Sequence, residues 1–417
     1  MEVRITSKQM IKPSSSKLHL LKPFKLSLLD QLSPRLYTPF YPVAGRLKNN
    51  LFISDYDAGV PYVETRVKCR LSDLTERTRE LQQELNQLLP CRPFCYIHDS
   101  DSTAPPLAVQ VNVFDCGGIA LAFCLVHKII DGSTIQAFIK SWTAFSRGSD
   151  GEIPNPGLLE ASSRLFPPLE SVPETPNVKS LLLNGGRRKT TRSFVFDADA
   201  IATLVFKAES KSLEHPSRVL ALSAFVWKHA ILASGSVSGS TKPAFLLQPV
   251  NIRRRMKPQL PDYSIGNLYL MAVAAFNPTG KDIDLPELSY LVRQAVKTVS
   301  NDSQDVLQLF KTTREQLSQL VEMVSKGNAE FFILSSWLNT FDGNIDFGWG
   351  KPSLSSIPGV DGHNRELCNL IILKNARQYD AIEVWVTLSD KETTFLEQDA
   401  EFLAFVSPTP YLGTNKI

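Results

Sequence analysis

Alternation of apolar and polar residues predicts an antiparallel strand pair in the first third of the chain. Leu107–Phe114 alternates along its length, and Asp115–Gly118 is a turn sequence that would reverse the chain into a second strand. That second strand, Ile119–Val126, is a short run of apolar residues, far too short to cross a membrane and typical of a buried strand. The pattern predicts that this strand ends at His127.

A helix is predicted directly after this strand pair. Ser133 is the expected N-cap, with Gln136 completing a capping box. The apolar residues of the helix fall on one stripe: Ile135, Phe138, Ile139, Trp142 and Phe145. His127, followed by Asp131 and Gly132, thus lies between a sheet and an anchored helix, where an imidazole can face a cleft and act as a general base.

Periodicity predicts the remaining elements, and proline content predicts the domain boundary. Six prolines in 151–177, without periodicity, indicate an extended connection. We therefore expect a first domain at 1–150, a crossover at 151–190 and a second domain at 191–417. The other predicted elements are a hairpin in Leu51–Val67 with its turn at Asp57–Gly59, helices at Leu74–Leu89 and Ser217–Leu232, strands at 191–196, 244–250, 331–337, 370–373 and 382–388, and helices capped by Asp197 and Ser389.

Composition narrows the class of protein. The 417 residues carry 45 Lys and Arg against 42 Asp and Glu, a net charge of +3, and no broad basic face that would favour nucleic acid. The N-terminus has no apolar signal region, and no apolar run approaches the ~20 residues of a spanning helix, so a cytoplasmic protein without a membrane segment is expected. Six sparse cysteines are expected to be reduced thiols rather than disulfides or metal ligands.

Two motifs together resemble those of a known enzyme family. The chain contains HKIIDG at His127–Gly132 and DFGWGKP at Asp346–Pro352, and this combination resembles the BAHD acyltransferases, plant enzymes that move an acyl group from coenzyme A to an alcohol or amine. Supporting matches follow the family's order along the chain: LDQL at Leu29–Leu32, FYPVAGRL at Phe40–Leu47, FDCGG at Phe114–Gly118, NIRRRM at Asn251–Met256, IGN at Ile265–Asn267 and SSW at Ser335–Trp337.

The resemblance implies a fold, a reaction and a set of partners. The fold would be α/β (mixed α+β), with two similar chloramphenicol acetyltransferase-like domains, each a mixed sheet flanked by helices, and an active-site channel at their interface. The reaction would be direct acyl transfer, through a ternary complex, from an acyl-CoA co-substrate to a small-molecule alcohol such as an alkaloid or terpenoid. Acetyl-CoA is the expected donor. A monomer is expected, with no bound cofactor, no metal, no nucleic acid and no membrane partner.

The resemblance also implies roles for individual residues. His127 would be the general base, while Ser335 and Trp337 would line the position of the tetrahedral oxyanion. Asp131 would pair with Arg253 rather than with His127, and Gly132 would permit close packing beside it. The family places its second motif away from the reacting atoms, so the expected structural or coenzyme-supporting residues there are Asp346, Gly348 and Trp349.

Alternatives remain open at this point. An isolated H-x-x-x-D is common by chance, and Asp131 could instead polarise His127 in a dyad. The chain also departs from the family, because only Ser33–Pro39 stands where a strand and a long helix are usual, and Asn339 and Asn344 replace the usual Arg and Asp. A non-catalytic family member acting as a binding protein is therefore a second hypothesis. A peptide-synthetase condensation domain is a third, disfavoured by the single histidine after Val126.

Overall fold

The computed structural model describes most of the chain. Its described residues are 1–11, 24–25, 42–48, 52–75, 81–91, 105–127, 129–147, 189–278, 282–299, 306–338, 345–352, 355–356, 368–376 and 380–407. The short segment Ser33–Pro39, the replacements Asn339 and Asn344, and nearly all of the predicted crossover lie outside the described residues.

The chain forms two compact units that do not follow the predicted boundaries. The first unit contains the described residues of Met1–Thr175, Met256–Leu268 and Gly343–Gly359, and the second contains those of Pro176–Arg255, Tyr269–Asp342 and Val360–Ile417. The prediction of a continuous second domain at 191–417 therefore differs from the structure. Met256–Leu268 and Gly343–Gly359 belong to the first unit instead. Leu268 hydrogen-bonds Asp131, and Asp346 hydrogen-bonds Arg147.

The first unit is built on a four-stranded sheet of order β1-β5-β6-β7 and a small sheet of order β2-β4-β3. β5 and β6 are parallel, and β1–β5 and β6–β7 are antiparallel. The strands are β1 (Val3–Ile11), β2 (Phe24–Lys25), β3 (Arg46–Lys48), β4 (Phe52–Ser54), β5 (Val60–Val67), β6 (Leu107–Phe114) and β7 (Ile119–Leu125), and the helices are α1 (Leu71–Thr75), α2 (Leu81–Asn86) and α3 (Gly132–Ser146).

Two predictions for this unit are wrong in detail. The expected hairpin in Leu51–Val67 does not form, because β4 and β5 belong to different sheets. A 3-10 turn at Tyr56–Ala58 separates them, held where the Tyr56 hydroxyl donates to Ile53 O at 2.9 Å. β7 is half-buried rather than buried, since it is an edge strand of the described sheet. The antiparallel pairing of β6 with β7 is confirmed.

The second unit is a six-stranded mixed sheet of order β10-β9-β11-β12-β13-β8. β11 is parallel to both β9 and β12, and the other neighbours are antiparallel. Its strands are β8 (Lys189–Phe196), β9 (Ala244–Asn251), β10 (Tyr269–Phe276), β11 (Glu330–Ser336), β12 (Asn369–Asn375) and β13 (Ile382–Ser389), and its helices are α4 (Ala198–Ala208), α5 (Arg218–Ser238), α6 (Leu285–Val299), α7 (Val306–Ser325), α8 (Asp390–Leu396) and α9 (Ala400–Leu403).

Helices cover both faces of this sheet. Because successive strand residues point to opposite faces, Phe332 and Leu334 of β11 pack with α5, while Phe331 and Ile333 pack with Leu320 of α7. The predicted N-caps Asp197 and Ser389 are confirmed, and Ser389 forms a complete capping box with Glu392. The helix predicted at Ser217–Leu232 is α5, and Ser217 is its N-cap. The predicted mixed sheet flanked by helices is therefore confirmed for this unit.

α5 is long and apolar enough to span a membrane by composition, whereas the sequence pattern predicts no apolar run of that length. An 18-residue window within Arg218–Ser238 has a mean hydropathy of 1.3. Polar residues such as Ser223 and Lys228 interrupt the apolar run and conceal it. Residues on several sides of the helix, including Phe225 and Trp227, are buried in the core of the second unit, which is the burial of a core helix.

Candidate functional site

His127 lies in the turn that follows β7, and its side chain is exposed. The backbone on either side of it is fixed, since Val126 N donates to Pro106 O at 3.0 Å and Ile129 N donates to Val126 O at 3.0 Å. The strand ends at Leu125, two residues before the predicted end. The structure thus holds an accessible imidazole on an ordered backbone, which is the arrangement that a general base requires.

Asp131 caps the helix that follows His127. The Asp131 carboxylate is buried, and its Oδ1 accepts hydrogen bonds from Thr134 N at 2.9 Å and Thr134 Oγ1 at 2.8 Å. Its Oδ2 accepts from Leu268 N at 3.1 Å. The prediction of Ser133 as N-cap is wrong, because α3 begins at Gly132 and the carboxylate of the preceding residue takes that role.

These contacts give Asp131 a structural function within the first unit. A carboxylate at a helix N-terminus is favoured by the unpaired N–H groups and the helix dipole there. Gly132, the first residue of α3, is exposed. The pairing of Asp131 with Arg253 that the resemblance implies stays a prediction.

A second group of contacts to the same loop comes from the segment Ile265–Leu268. Asn267 Nδ2 donates to the carbonyl oxygen of His127 at 3.2 Å, and Thr134 Oγ1 lies 3.4 Å from Gly266 O. In the sequence this segment is a match to the family motif IGN, from which no role follows. No local pattern could reveal these contacts, because the partners are separated by more than 130 residues.

The second motif forms a tight loop around the Asp346 side chain. Asp346 Oδ1 accepts from Gly348 N at 2.8 Å and from Gly350 N at 3.0 Å. These two N–H groups hold the pKa of the Asp346 carboxyl below its ordinary value, and the positive charges of Arg147 and Lys351 act in the same direction. Gly348 and Gly350 have φ of 98° and 117°, backbone conformations that residues with a side chain rarely adopt.

This loop is attached to the C-terminal end of α3. The Arg147 guanidinium donates to Asp346 O, and the Phe347 ring meets the Trp142 ring edge-on at 5.2 Å between centroids. Trp349 stacks on Phe347 at 5.3 Å and is 66% exposed. The placement of Asp346 at the opposite end of α3 from His127 supports a structural role for Asp346, Gly348 and Trp349.

Ser335 and Trp337 lie at the end of β11 in the second unit. Trp337 Nε1 donates to Ser335 Oγ at 3.1 Å, while Trp337 N donates to Leu373 O at 2.7 Å and fixes the backbone. Both side chains are half-buried. Since the Ser335 oxygen already accepts a hydrogen bond from the indole, the hydroxyl proton is left to donate elsewhere, as an oxyanion donor must.

Arg253 is fully buried, whereas its two neighbours are more accessible. Arg253 Nη1 lies 3.3 Å from Asn251 Oδ1, which also accepts from Arg253 N at 3.0 Å. Arg254 is exposed and Arg255 is half-buried with its guanidinium on Asn251 O. Arg253–Arg255 therefore forms a 3-10 turn with one buried guanidinium.

The histidines and cysteines outside the motif show no metal site in the described part of the chain. His229 is fully buried against Phe225 and Phe402, and its Nδ1 lies 2.6 Å from Asp399 Oδ2. Burial lowers the pKa of His229, although Asp399 opposes that shift. The described cysteines form no disulfide with one another, and Cys95 lies outside the described residues.

The fold and the two motifs define an acyltransferase. The chain matches the Transferase family over residues 35–403, and it belongs to this family, the BAHD acyltransferases, which use acyl-CoA as co-substrate. The resemblance inferred from the sequence is confirmed.

Similar proteins come from plant specialised metabolism. The chain is 31% identical to akuammiline synthase 2 of Alstonia scholaris over 457 residues, covering 100% of both chains. It is 35% identical to epi-neemfruitin B 7-O-acetyltransferase of Melia azedarach, over 93% of this chain and 85% of that relative. The crystal structure of vinorine synthase matches with a TM-score of 0.76 and 29% identity, over 97% of this chain and 99% of that one.

Proposed function

We propose that this protein transfers an acetyl group from acetyl-CoA to a hydroxyl group of an alkaloid or terpenoid, with His127 as the general base. The observation that carries the proposal is the exposed His127 on a backbone held from both sides, in a chain of this acyltransferase family. The relatives named above, one of them an acetyltransferase by name, support an acetyl donor and acceptors of this kind.

The proposed reaction has two steps and needs no further reactant. The imidazole of His127 takes the proton of the acceptor hydroxyl while the oxygen attacks the thioester carbonyl, which gives a tetrahedral oxyanion. The Ser335 hydroxyl donates a hydrogen bond to that oxyanion. On collapse, the C–S bond breaks and the coenzyme A sulfur takes the proton from the imidazolium, so that an ester and free coenzyme A leave.

Direct transfer is proposed over a covalent intermediate. A nucleophilic serine or cysteine would have to stand within hydrogen-bond reach of its base. Cys124, on β7 before His127, instead points its sulfur towards Cys91 O at 3.5 Å. The imidazole of His127 is therefore left to serve the acceptor alcohol, and both substrates bind together in a ternary complex.

The test is a thiol-release assay with acetyl-CoA and a panel of alkaloid and limonoid alcohols. We expect turnover with at least one acceptor and a loss of about 10²- to 10⁴-fold in kcat for His127→Ala. His215→Ala is the matched control, because the His215 side chain is 93% exposed and belongs to the second unit. Turnover of His127→Ala within tenfold of the parent would contradict the general-base role.

A different result would favour the non-catalytic hypothesis. The alignment with akuammiline synthase 2 covers 457 positions and the whole of this 417-residue chain, so it includes positions that this chain leaves unfilled. Protein that unfolds cooperatively and binds coenzyme A, yet releases no thiol with any acceptor, would overturn the proposed activity. Sequencing the transcript across Gln31–Tyr41 would show whether the short segment there is genuine.

A further inference from the structure

The segment Ile265–Leu268 contacts the His127–Thr134 region at three points. Asn267 Nδ2 donates to His127 O at 3.2 Å, Leu268 N donates to Asp131 Oδ2 at 3.1 Å, and Thr134 Oγ1 lies 3.4 Å from Gly266 O. The groups that make these contacts belong to three consecutive residues of the segment. One short segment therefore contacts both the peptide group of His127 and the Asp131 carboxylate that caps α3.

The segment Ile265–Leu268 is itself buried, so its own position is fixed by packing. Ile265 is 1% exposed, Asn267 is 1% exposed and Leu268 is fully buried. Gly266 has a φ of 114°, which lets the chain turn so that its carbonyl and the Asn267 side chain face the same loop. A buried amide side chain in such a setting loses its rotational freedom, so its donor stays directed at His127 O.

We propose that Asn267 is a positioning residue for His127 in acyl transfer. The inference rests on the proposed function, because it assigns Asn267 an effect on kcat only through the His127 imidazole. The His127 side chain is exposed, and the hydrogen bond from Asn267 is made to the carbonyl of His127 itself, so it constrains the peptide from which the ring projects. Displacement of a catalytic group by about 1 Å can reduce the rate by ~10²-fold.

A double-mutant cycle tests this role. Asn267→Leu keeps the approximate side-chain volume and removes the donor, and it is measured alone and together with His127→Ala. We expect kcat to fall by about 10- to 100-fold in the single variant, with KM for acetyl-CoA within about twofold of the parent. In the His127→Ala background, the same change is expected to alter kcat by less than twofold, because the base that it positions is already absent.

Controls separate positioning from loss of folded protein. Calorimetric titration with coenzyme A counts binding-competent chains, and kcat is expressed per binding site. Ser264→Ala, a change to another fully buried residue beside the segment, is expected to leave kcat within about threefold of the parent. If Asn267→Leu does not bind coenzyme A, Asn267→Ser, which is smaller and still polar, is used and the same loss per site is expected.

Three results would overturn the inference. An Asn267 variant with parental kcat per binding site excludes a positioning role. Additive effects in the cycle, so that Asn267→Leu lowers kcat equally with and without His127, show a general structural role instead. A parallel rise in KM for acetyl-CoA would assign Asn267 to substrate binding. Failure of the proposed function is distinct from all three, since the parent protein would then release no thiol, or His127→Ala itself would leave turnover unchanged.

Discussion

Arg147, at the C-terminal end of α3, donates a hydrogen bond from its guanidinium to the carbonyl oxygen of Asp346, in the DFGWG loop. The N-terminal end of the same helix is capped by Asp131 of the HKIIDG motif. One 15-residue helix thus connects both motifs, and its length separates them by about 22 Å. That distance is consistent with different roles for the two motifs, the proposed proton transfer at one end of the helix and support of the fold at the other.

The Asp346 loop is expected to lose stability in acid. The N–H groups of Gly348 and Gly350 lower the pKa of the carboxyl in the folded state, so its contribution is present above the unfolded pKa of about 3.9 and is lost as pH falls through the lower folded pKa. Asp346→Ala should therefore melt at a lower temperature than the parent at pH 7, with a difference that shrinks below pH 4. A difference independent of pH would contradict this account.

Asp131 is expected to act on stability through its cap. Asp131→Ala removes the acceptor of Thr134 N and Thr134 Oγ1, and a lost N-cap reduces the free energy of unfolding by about 0.5–2 kcal/mol. Asp131→Asn keeps an oxygen that can accept from Thr134 N, so it should retain part of that difference. Urea denaturation of the three proteins measures it. Equal stability of the Ala and Asn variants would show that the charge, not the cap, dominates.

Burial of His229 predicts a second pH dependence. Desolvation lowers the pKa of this imidazole in the folded state, so the unfolded chain binds the proton more tightly. Its contribution to stability is therefore complete above the unfolded pKa of about 6.5 and decreases as pH falls through that value towards the folded pKa.

The measurement is urea unfolding of the parent and of His229→Gln at pH 7.5, 6 and 5. We expect the parent to lose free energy of unfolding more steeply across this range than the variant, which has no titrating group at the position. His215→Gln serves as the control, because that side chain is exposed and should leave the slope unchanged. The same slope in the parent and in His229→Gln would exclude His229 as the cause.

Elements determined by local pattern could be predicted from the sequence, and contacts between distant segments could not. Ser389 and Glu392 are three residues apart and signal their capping box directly. Asn267 and His127 are 140 residues apart, and the acceptor is a backbone carbonyl, which every residue has. The false hairpin at β4 and β5 has the same origin, since alternation identifies a strand but not the sheet that it joins.

The candidate site shows the same division. His127, Ser335 and Trp337 can be proposed from the sequence because their motifs are short and distinctive in the family, and their roles stay predictions. The residues that hold His127 and Asp346 in place, Asn267 and Arg147, have no such signal, because an amide or a guanidinium at a loop or helix end is common. The residue type favours Ser133 as N-cap, but the buried Asp131 carboxylate accepts from two donors of Thr134, so the N-cap lies two residues earlier than predicted.

Ser335 and Trp337 offer the sharpest test of oxyanion stabilisation. Loss of one donor to an oxyanion commonly lowers kcat by about 10²- to 10³-fold, so Ser335→Ala should fall in that range with KM for acetyl-CoA little changed. Trp337→Phe keeps an aromatic ring, although a smaller one than the indole, and removes the Nε1 hydrogen bond to Ser335 Oγ, so a smaller loss, below about tenfold, is expected. Steady-state thiol release measures both variants. A larger loss for Trp337→Phe than for Ser335→Ala would assign the direct role to the indole, because the hydroxyl would then serve only to orient it.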